Sequence, residues 1–382
     1  MIPYGRQCID DSDIAAVVAV LRADLITQGP MVERFEQELA TLTGAPHVVA
    51  LCNATAALHL ACLALGLGPG DRLWTSPNTF LASANCARYC GADVDFVDID
   101  PLTWNLDVAA LEAKLAVAEL AGTLPKIVVP VAFAGQSCDM AGIRRLADRY
   151  GFAVIEDASH AIGASYLGEP VGASRYADAT VFSFHPVKII TTGEGGAVLT
   201  RRADVAERVR LLRTHGMVRD PARLEEPAPE LWHYEQQALG FNYRITDIQA
   251  ALGLSQLGKL AGFVARRRQL AQQYDAALAG LGIQLPGRQA GAVSAWHLYV
   301  VRVPQPLDRR SVFYQLRNAG VGVNVHYIPV HTQPYYRDLG FAWGDFPQSE
   351  QYYREAITLP MFAAMSEDEQ VQVIEAVRQA VL

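Results

Sequence analysis

Short apolar runs alternate with helix-spaced stretches over the first two-thirds of the chain. HVVAL (47–51), RLWTS (72–76), DVDFVDID (93–100), KIVVPVAFAG (126–135) and FAVIEDAS (152–159) are mostly apolar, and each predicts a buried strand. Helical patterns lie between them. ATAALHLACLALG follows residue 53 and ends at Gly66 with the turn GLGPGD; others sit near 80–90, 107–120 and 139–150. ADATVFSFHPV (177–187) reads as another strand, followed by a glycine-rich turn and the apolar run AVLT (197–200). Strands that are nearly all apolar and separated by helices predict an α/β fold whose mostly parallel sheet is covered on both faces. Such a sheet gathers functional groups at the carboxyl ends of its strands.

The pattern then changes. The stretch from Pro227 to Arg244 is loop-like, and one long helix is expected from Thr246 to about Leu281. HLYVVRV (297–303) and VGVNVHYIPV (321–330) read as strands around a helix at 308–320, and two helices close the chain near 348–357 and 366–381. The expected organisation is an N-terminal arm and large domain over 1–245. A connecting helix and a smaller α+β domain occupy 246–382. No internal repeat or low-complexity tract is present.

Composition narrows the class. With 51% apolar and 19% charged residues, the 382-residue chain suits a globular protein, not a disordered one. A net charge of −8 with no basic block argues against nucleic acid as a partner. No apolar run approaches the roughly 20 residues of a membrane span. The opening MIPYGRQCIDDSD turns acidic where a signal peptide would have its apolar core. The six cysteines form no CxxC pair, so thiols in a reducing cytoplasm are expected and no metal site.

Candidate chemistry clusters at three strand ends. Lys188 lies in SFHPVKIITTGEGG (183–196), after a buried strand and before a tight turn. Burial disfavours a lysine's charge and favours the nucleophilic amine that condenses with aldehydes such as pyridoxal phosphate. The bland reading is a surface lysine in a hairpin. Cys52-Asn53-Ala54-Thr55-Ala56 joins a strand to a helix N-terminus, a seat for phosphate and equally an ordinary N-cap. Glu156 and Asp157 close a strand, so at least one carboxylate faces the strand-end crevice. There it suits a protonated pyridine nitrogen, an N-cap or a metal. His160 is placed to reach a cofactor's phenolic oxygen or to fill the core. Ser183 offers a further hydroxyl, His185 has no assigned role, and Phe80 suits either stacking on a ring or core packing. Phosphate seat, ring-nitrogen acid, aldehyde-trapping lysine and stacking aromatic make one coherent cofactor site.

These stretches carry a resemblance. NATAALHLACLALGLGPGD, SPNTFLASAN, VIEDASHAIGA, SFHPVKIITTGEGG, LRTHGM, GFNYRITDIQAALG and NVHYIPVHTQPYY together resemble the fold-type I, aspartate-aminotransferase-like sugar aminotransferases of the DegT/DnrJ/StrS family, across essentially the whole chain. The opening PYGRQCIDDSDIAAVV and the HPVK-containing turn look most like the pseudaminic-acid branch, which aminates UDP-4-keto-6-deoxy-N-acetyl-altrosamine with L-glutamate as donor. The resemblance implies that Lys188 binds pyridoxal phosphate covalently and then shuttles a proton. It pairs Asp157 with the ring nitrogen and His160 with the ring oxygen. Thr55, Ser183 and the N–H groups of Ala54 and Ala56 would hold the phosphate. Asn242 would reach a neighbouring subunit's site, which implies a homodimer with shared active sites. Tyr4, Thr27, Gln28, Gly29, Pro30, His326, Tyr327, Ile328 and Pro329 would line the nucleotide-sugar pocket. Relatives often carry a hydroxyl or acidic residue at Ala56 and asparagine at Cys52, so this seat is expected to lean on backbone N–H groups and Ser183. Arg6, Arg213, Arg219 and Arg244 are unranked candidates for the donor carboxylate.

Other readings differ at identifiable residues. An aminotransferase for dTDP- or GDP-linked keto sugars keeps the same site. A related dehydratase keeps fold and cofactor but carries histidine where this chain has Lys188. A catalytically silent cofactor-binding regulator would bring a basic DNA-binding helix, for which the N-terminus has neither room nor charge.

Overall fold

The computed structural model describes residues 1–225 and 230–382, so residues 227–229 of the loop-like stretch lie outside it. Two helices open the chain, α1 (Asp11–Leu21) and α2 (Pro30–Thr43). An alternating series follows: β1 (His47–Leu51), α3 (Ala54–Ala64), β2 (Arg72–Thr75), α4 (Ala82–Tyr89), β3 (Asp93–Phe96), α5 (Val108–Ala121), β4 (Ile127–Val129), α6 (Met140–Tyr150) and β5 (Ala153–Asp157). A small hairpin, β6 (Ser165–Tyr166) and β7 (Glu169–Pro170), precedes β8 (Ala179–Ser183), β9 (Gly196–Thr200) and α7 (Ala203–Arg213). Next come β10 (Met217–Val218), β11 (Glu235–Gln236), α8 (Asp247–Leu257), α9 (Leu260–Leu278) and β12 (Ala292–Val293). The last segment holds β13 (Tyr299–Arg302), α10 (Arg309–Asn318), α11 (Pro334–Arg337), α12 (Pro347–Glu355), β14 (Ala356–Leu359) and α13 (Glu367–Val381).

The main sheet has seven strands in the order β1-β9-β8-β5-β4-β2-β3. Strands β3, β2, β4, β5 and β8 are mutually parallel; helices α4, α5 and α6 connect β2, β3, β4 and β5, and the crossover from β5 to β8 carries only the β6–β7 hairpin. The chain returns from β8 to β9 through a short loop with no helix, and β9 is antiparallel to both neighbours. Alternate strand residues feed opposite cores. Val49, Leu51, Val181 and Val198 pack under α3, α4 and α7, whereas Val48, Ala50, Phe182 and Leu199 pack with α2, α8 and the start of α9. The helices are amphipathic in the expected way: α6 buries Met140, Ile143, Leu146, Ala147 and Tyr150, and Asp139 caps it through the Gly142 N–H.

A separate core gathers Leu270 and Tyr274 of α9, Val312 and Leu316 of α10, Tyr299 and Val301 of β13, Ile357 of β14, and Val373 and Val377 of α13. The expected division at 245/246 falls at the start of α8, and α9 crosses from one core to the other.

Three expectations change. The single helix over 246–281 is two helices, α8 and α9, interrupted at Gly258-Lys259; Lys259 points back to pair with Asp10 and Asp13 beside α1. The expected strand at 321–330 does not form. It makes only isolated bridges, Val321 with Ile2 and, on the edge of β14 opposite β13, Asn324 with Thr358. The hydrophobic pattern also did not anticipate α1, α2 or α7. No helix among the described residues is long and apolar enough to cross a membrane.

Candidate active site

The carboxyl ends of β1, β5 and β8 open on a cavity of about 640 Å3. It is lined by Lys188, Asp157, His160, Ser183, Ala54, Thr55, Phe80 and Tyr4, with His185, His326 and Tyr327.

Lys188 is placed by a closed loop between β8 and β9. Phe184 N–H donates to Gly195 O at 2.9 Å, Thr192 N–H donates to Phe184 O at 3.0 Å, and Lys188 N–H donates to His185 O at 2.8 Å. Burial pushes the Lys188 amine down to about 8 from its ordinary 10.5, against Asp157, whose charge favours the protonated form. His185 is exposed at the rim and accepts the Val187 N–H at 3.4 Å.

β5 ends in two carboxylates that face opposite ways. Glu156 is buried behind the sheet near the hydroxyls of Ser137 and Thr180, and burial pushes it up to about 7 against those hydrogen bonds. Asp157 faces the cavity. Its Oδ2 accepts the Ser83 hydroxyl at 2.6 Å and its Oδ1 accepts the Ser159 N–H at 3.1 Å.

Asn53 caps α3, and its Oδ1 accepts the Ala56 N–H at 2.8 Å. That donor is therefore occupied, contrary to its expected part in the seat, and Ala56 stands outside the main cavity. The N–H groups of Ala54 and Thr55 have no acceptor among the described residues, as the first turn of a helix leaves them. The hydroxyls of Thr55 and Ser183 are likewise uncommitted. Gly196 pairs with Ser183 across the sheet, and a Cβ there would lie 2.6 Å from Ala54 N. Only glycine permits this approach of β9 to the helix end.

On the far wall His160 is buried and packs tilted against His297 at 4.4 Å between ring centroids. Burial holds His160 well below its ordinary pKa, with the charges of Lys188 and His326 adding, so it is neutral. Its Nε2 meets the Tyr327 hydroxyl at 3.2 Å, while its Nδ1 is buried without a partner. His326 bonds Thr358 Oγ1 at 2.8 Å and is pushed down to about 4 by burial. Tyr4 packs 5.4 Å from His326. Phe80 is 58% exposed and stands 6.2 Å from Tyr327.

Several expected residues do not reach this cavity within one chain. The loop Thr27-Gln28-Gly29-Pro30 is tied to α8 through Gly29 N–H and Asp247 Oδ2 at 2.7 Å. Ile328 is exposed, Pro329 is buried behind the wall, and Asn242 is exposed on the loop before α8. Arg213 is held by Glu36 at 2.7 Å and Ala50 O at 2.6 Å, which removes it from the candidates for a donor carboxylate. Among the described residues Arg6, Arg219 and Arg244 make no ion pair. Ser83, His297 and Asn324 belong to the site or its support through tertiary contacts, whereas Ser159 and Glu194, also not singled out from the sequence, lie beside Asp157 and in the turn after Lys188.

Comparison with known proteins gives a consistent picture. The profile of the DegT/DnrJ/EryC1/StrS aminotransferase family matches residues 7–378. The chain is 39% identical over 386 residues to the spore coat polysaccharide biosynthesis protein SpsC of Bacillus subtilis (strain 168), covering 100% of this chain and 97% of that protein. Among solved structures it is similar to Helicobacter pylori PseC, an aminotransferase involved in the biosynthesis of pseudoaminic acid. The TM-score is 0.91 and the identity 29%, over 100% of this chain and 99% of that one. It is also similar to the putative sugar aminotransferase Spr1654 from Streptococcus pneumoniae in its PMP form, with TM-score 0.90 and 29% identity over 100% and 99% of the two chains.

Proposed function

From the premise that this chain belongs to the DegT/DnrJ/EryC1/StrS aminotransferase family, we propose that it moves an amino group from L-glutamate to the 4-keto carbon of a UDP-linked 4-keto-6-deoxy-N-acetyl hexosamine. The chain is a pyridoxal-phosphate-dependent sugar aminotransferase with the aminotransferase fold. The observation that carries the reading is a lysine amine held near 8 in the same cavity as a carboxylate and a neutral histidine.

The residues present fit pyridoxal phosphate. Two uncommitted hydroxyls and two free N–H groups lie at the α3 end, where the helix dipole favours an anion. A carboxylate lies at the end of β5, and His160 Nδ1 is buried and unpartnered. When bound, this cofactor carries the amino group between donor and acceptor and withdraws the electrons released as the α-proton leaves. Lys188 Nζ would hold the cofactor aldehyde and, once released, would take and return the proton at the reacting carbon; an amine pushed down to about 8 suits both tasks close to neutral pH. Asp157 would keep a proton on the ring nitrogen. If the Tyr327 hydroxyl donates to Nε2, the proton of neutral His160 would sit on Nδ1, where it could donate to the ring oxygen. Phe80, exposed at the cavity, would cover the ring.

The acceptor assignment draws on the open half of the cavity, where Tyr4, His326 and Tyr327 offer aromatic faces and polar tips suited to a sugar, and on the likeness to PseC. The proposal includes a homodimer in which Asn242 and the Thr27–Pro30 loop complete a neighbour's site. It places the reaction in a reducing cytoplasm, where the six free cysteines stay reduced. The test is glutamate-dependent amination of UDP-, dTDP- and GDP-linked 4-keto-6-deoxy sugars, read by product mass. Preference for the UDP sugar is expected. A clear preference for a dTDP or GDP sugar rejects the acceptor assignment and leaves sugar amination standing.

A further inference from the structure

We propose that Ser83, backed by Thr79, is a positioning residue that fixes the Asp157 carboxylate against the cofactor ring; this rests on the reading of Asp157 above. Ser83 is fully buried, and Thr79 and Asp157 nearly so. The Ser83 hydroxyl lies 2.6 Å from Asp157 Oδ2, and the Thr79 hydroxyl lies 2.7 Å from that of Ser83. An ionised carboxylate has no proton to give, so Ser83 donates to Asp157. Its single proton is then committed, and Thr79 must be the donor to Ser83. The direction is thus Thr79 to Ser83 to Asp157. The other carboxylate oxygen accepts the Ser159 N–H at 3.1 Å. Held at both oxygens, the carboxylate cannot rotate, and its remaining lone pairs present a fixed acceptor to the cavity.

The hydroxyl pair is itself anchored. Thr79 and Ser83 are four residues apart on the turn that opens α4, where Ser83 N–H donates to Phe80 O at 3.3 Å. Val330 N–H donates to Pro77 O at 2.9 Å, and Asn78 Nδ2 donates to Trp104 O at 3.2 Å. The turn that carries Phe80 therefore also carries the support for Asp157. A distance of 2.6 Å is that of a charge-assisted O–H···O− bond.

The test uses Ser83→Ala, Ser83→Thr, Thr79→Val and Asp157→Asn in the full chain. In Ser83→Ala the apo-protein should melt close to wild type. The pH at which the absorbance of bound pyridoxal phosphate changes should shift by about half a unit or more, because one hydrogen bond to the ionised partner is gone. Its kcat should fall about ten-fold, the cost of one charge-assisted bond, with KM for the keto sugar unchanged. Ser83→Thr should restore both, and Thr79→Val should move both in the same sense by less. Wild-type titration and kcat in Ser83→Ala, while Asp157→Asn loses both, overturn the relay but keep Asp157. If Ser83→Ala does not fold, an unshifted titration in Thr79→Val overturns it. A wild-type Asp157→Asn removes the reading beneath it, and the relay falls too.

Discussion

At Lys188 burial works against charge, and the result is a pH-dependent nucleophile. An ordinary lysine is neutral only near 10.5, whereas here the midpoint is about 8. The folded value is depressed, so deprotonation of the folded protein begins at lower pH, and the reactive form accumulates as pH rises toward 8. Capture of pyridoxal phosphate by the apo-protein, trapped with borohydride and read by mass, should therefore quicken up to about pH 8 and level off above it. A rate still climbing steeply toward pH 10 would show that the amine is not depressed. Lys188→Ala should give no trapped adduct and should abolish turnover. The residues legible in the sequence were those whose position is their signal. Lys188, Asp157, Ser183 and Thr55 each stand at a strand end beside a turn, and a parallel sheet brings such ends together. Ser83 and His297 carry no such mark. One is an ordinary serine in a short helix and the other an ordinary histidine before a strand, and only the three-dimensional packing puts them beside Asp157 and His160.

The proposed phosphate seat belongs to the scale of elements, because its donors lie where β9 presses against the start of α3. A Cβ at Gly196 would lie 2.6 Å from Ala54 N, and backbone cannot yield as a flexible side chain would. Gly193 is a contrast in the same turn: its φ is +79°, yet nothing lies within 4 Å of its added Cβ. Gly196→Ala should displace the first turn of α3 and weaken pyridoxal phosphate binding by about ten-fold or more, the loss of at least one charge-assisted bond. Binding of pyridoxal, which lacks the phosphate, should suffer far less. Gly193→Ala should cost about 1 kcal/mol of stability through its left-handed backbone and leave the discrimination between the two ligands intact. Equal losses of both ligands in Gly196→Ala would mean that the seat lies elsewhere. The strand–helix alternation was readable because buried strands and amphipathic helices have different periods. The segment 321–330 misled because alternation there reports burial of Val321 and Val323 and not a run of pairing; it meets β14 only at Asn324 and Thr358. The break between α8 and α9 was hidden because Gly258 is a weak interruption alone, and the pull of Asp10 and Asp13 on Lys259 is a long-range contact.

On the scale of the whole molecule, one chain's cavity gathers some of the proposed site residues and leaves others outside it. Lys188, Asp157 and His160 share a cavity, while Asn242 is exposed on the loop before α8 and the Thr27–Pro30 loop is tied to Asp247 away from that cavity. The surface around α1, α2 and α8 carries a groove of about 590 Å3, and Ile14, Leu21, Leu25 and Ile26 are exposed nearby. A two-fold dimer that covers this face and brings one chain's Asn242 to the other's cavity gives both features a purpose. The consequence can be measured by complementation. A Lys188→Ala chain and an Asn242→Ala chain, each weak alone, should regain activity when mixed. In a heterodimer one site receives both defects and the other receives neither. Random exchange makes half the dimers mixed, and half of their sites are intact, so activity should approach about a quarter of wild type. Mixing Lys188→Ala with Asp157→Asn is the control: these two residues line one chain's cavity, every site in the mixture carries a defect, and no recovery is expected. Recovery in both mixtures would indicate reassembly unrelated to shared sites, and recovery in neither, with subunit exchange demonstrated, would confine Asn242 to its own chain.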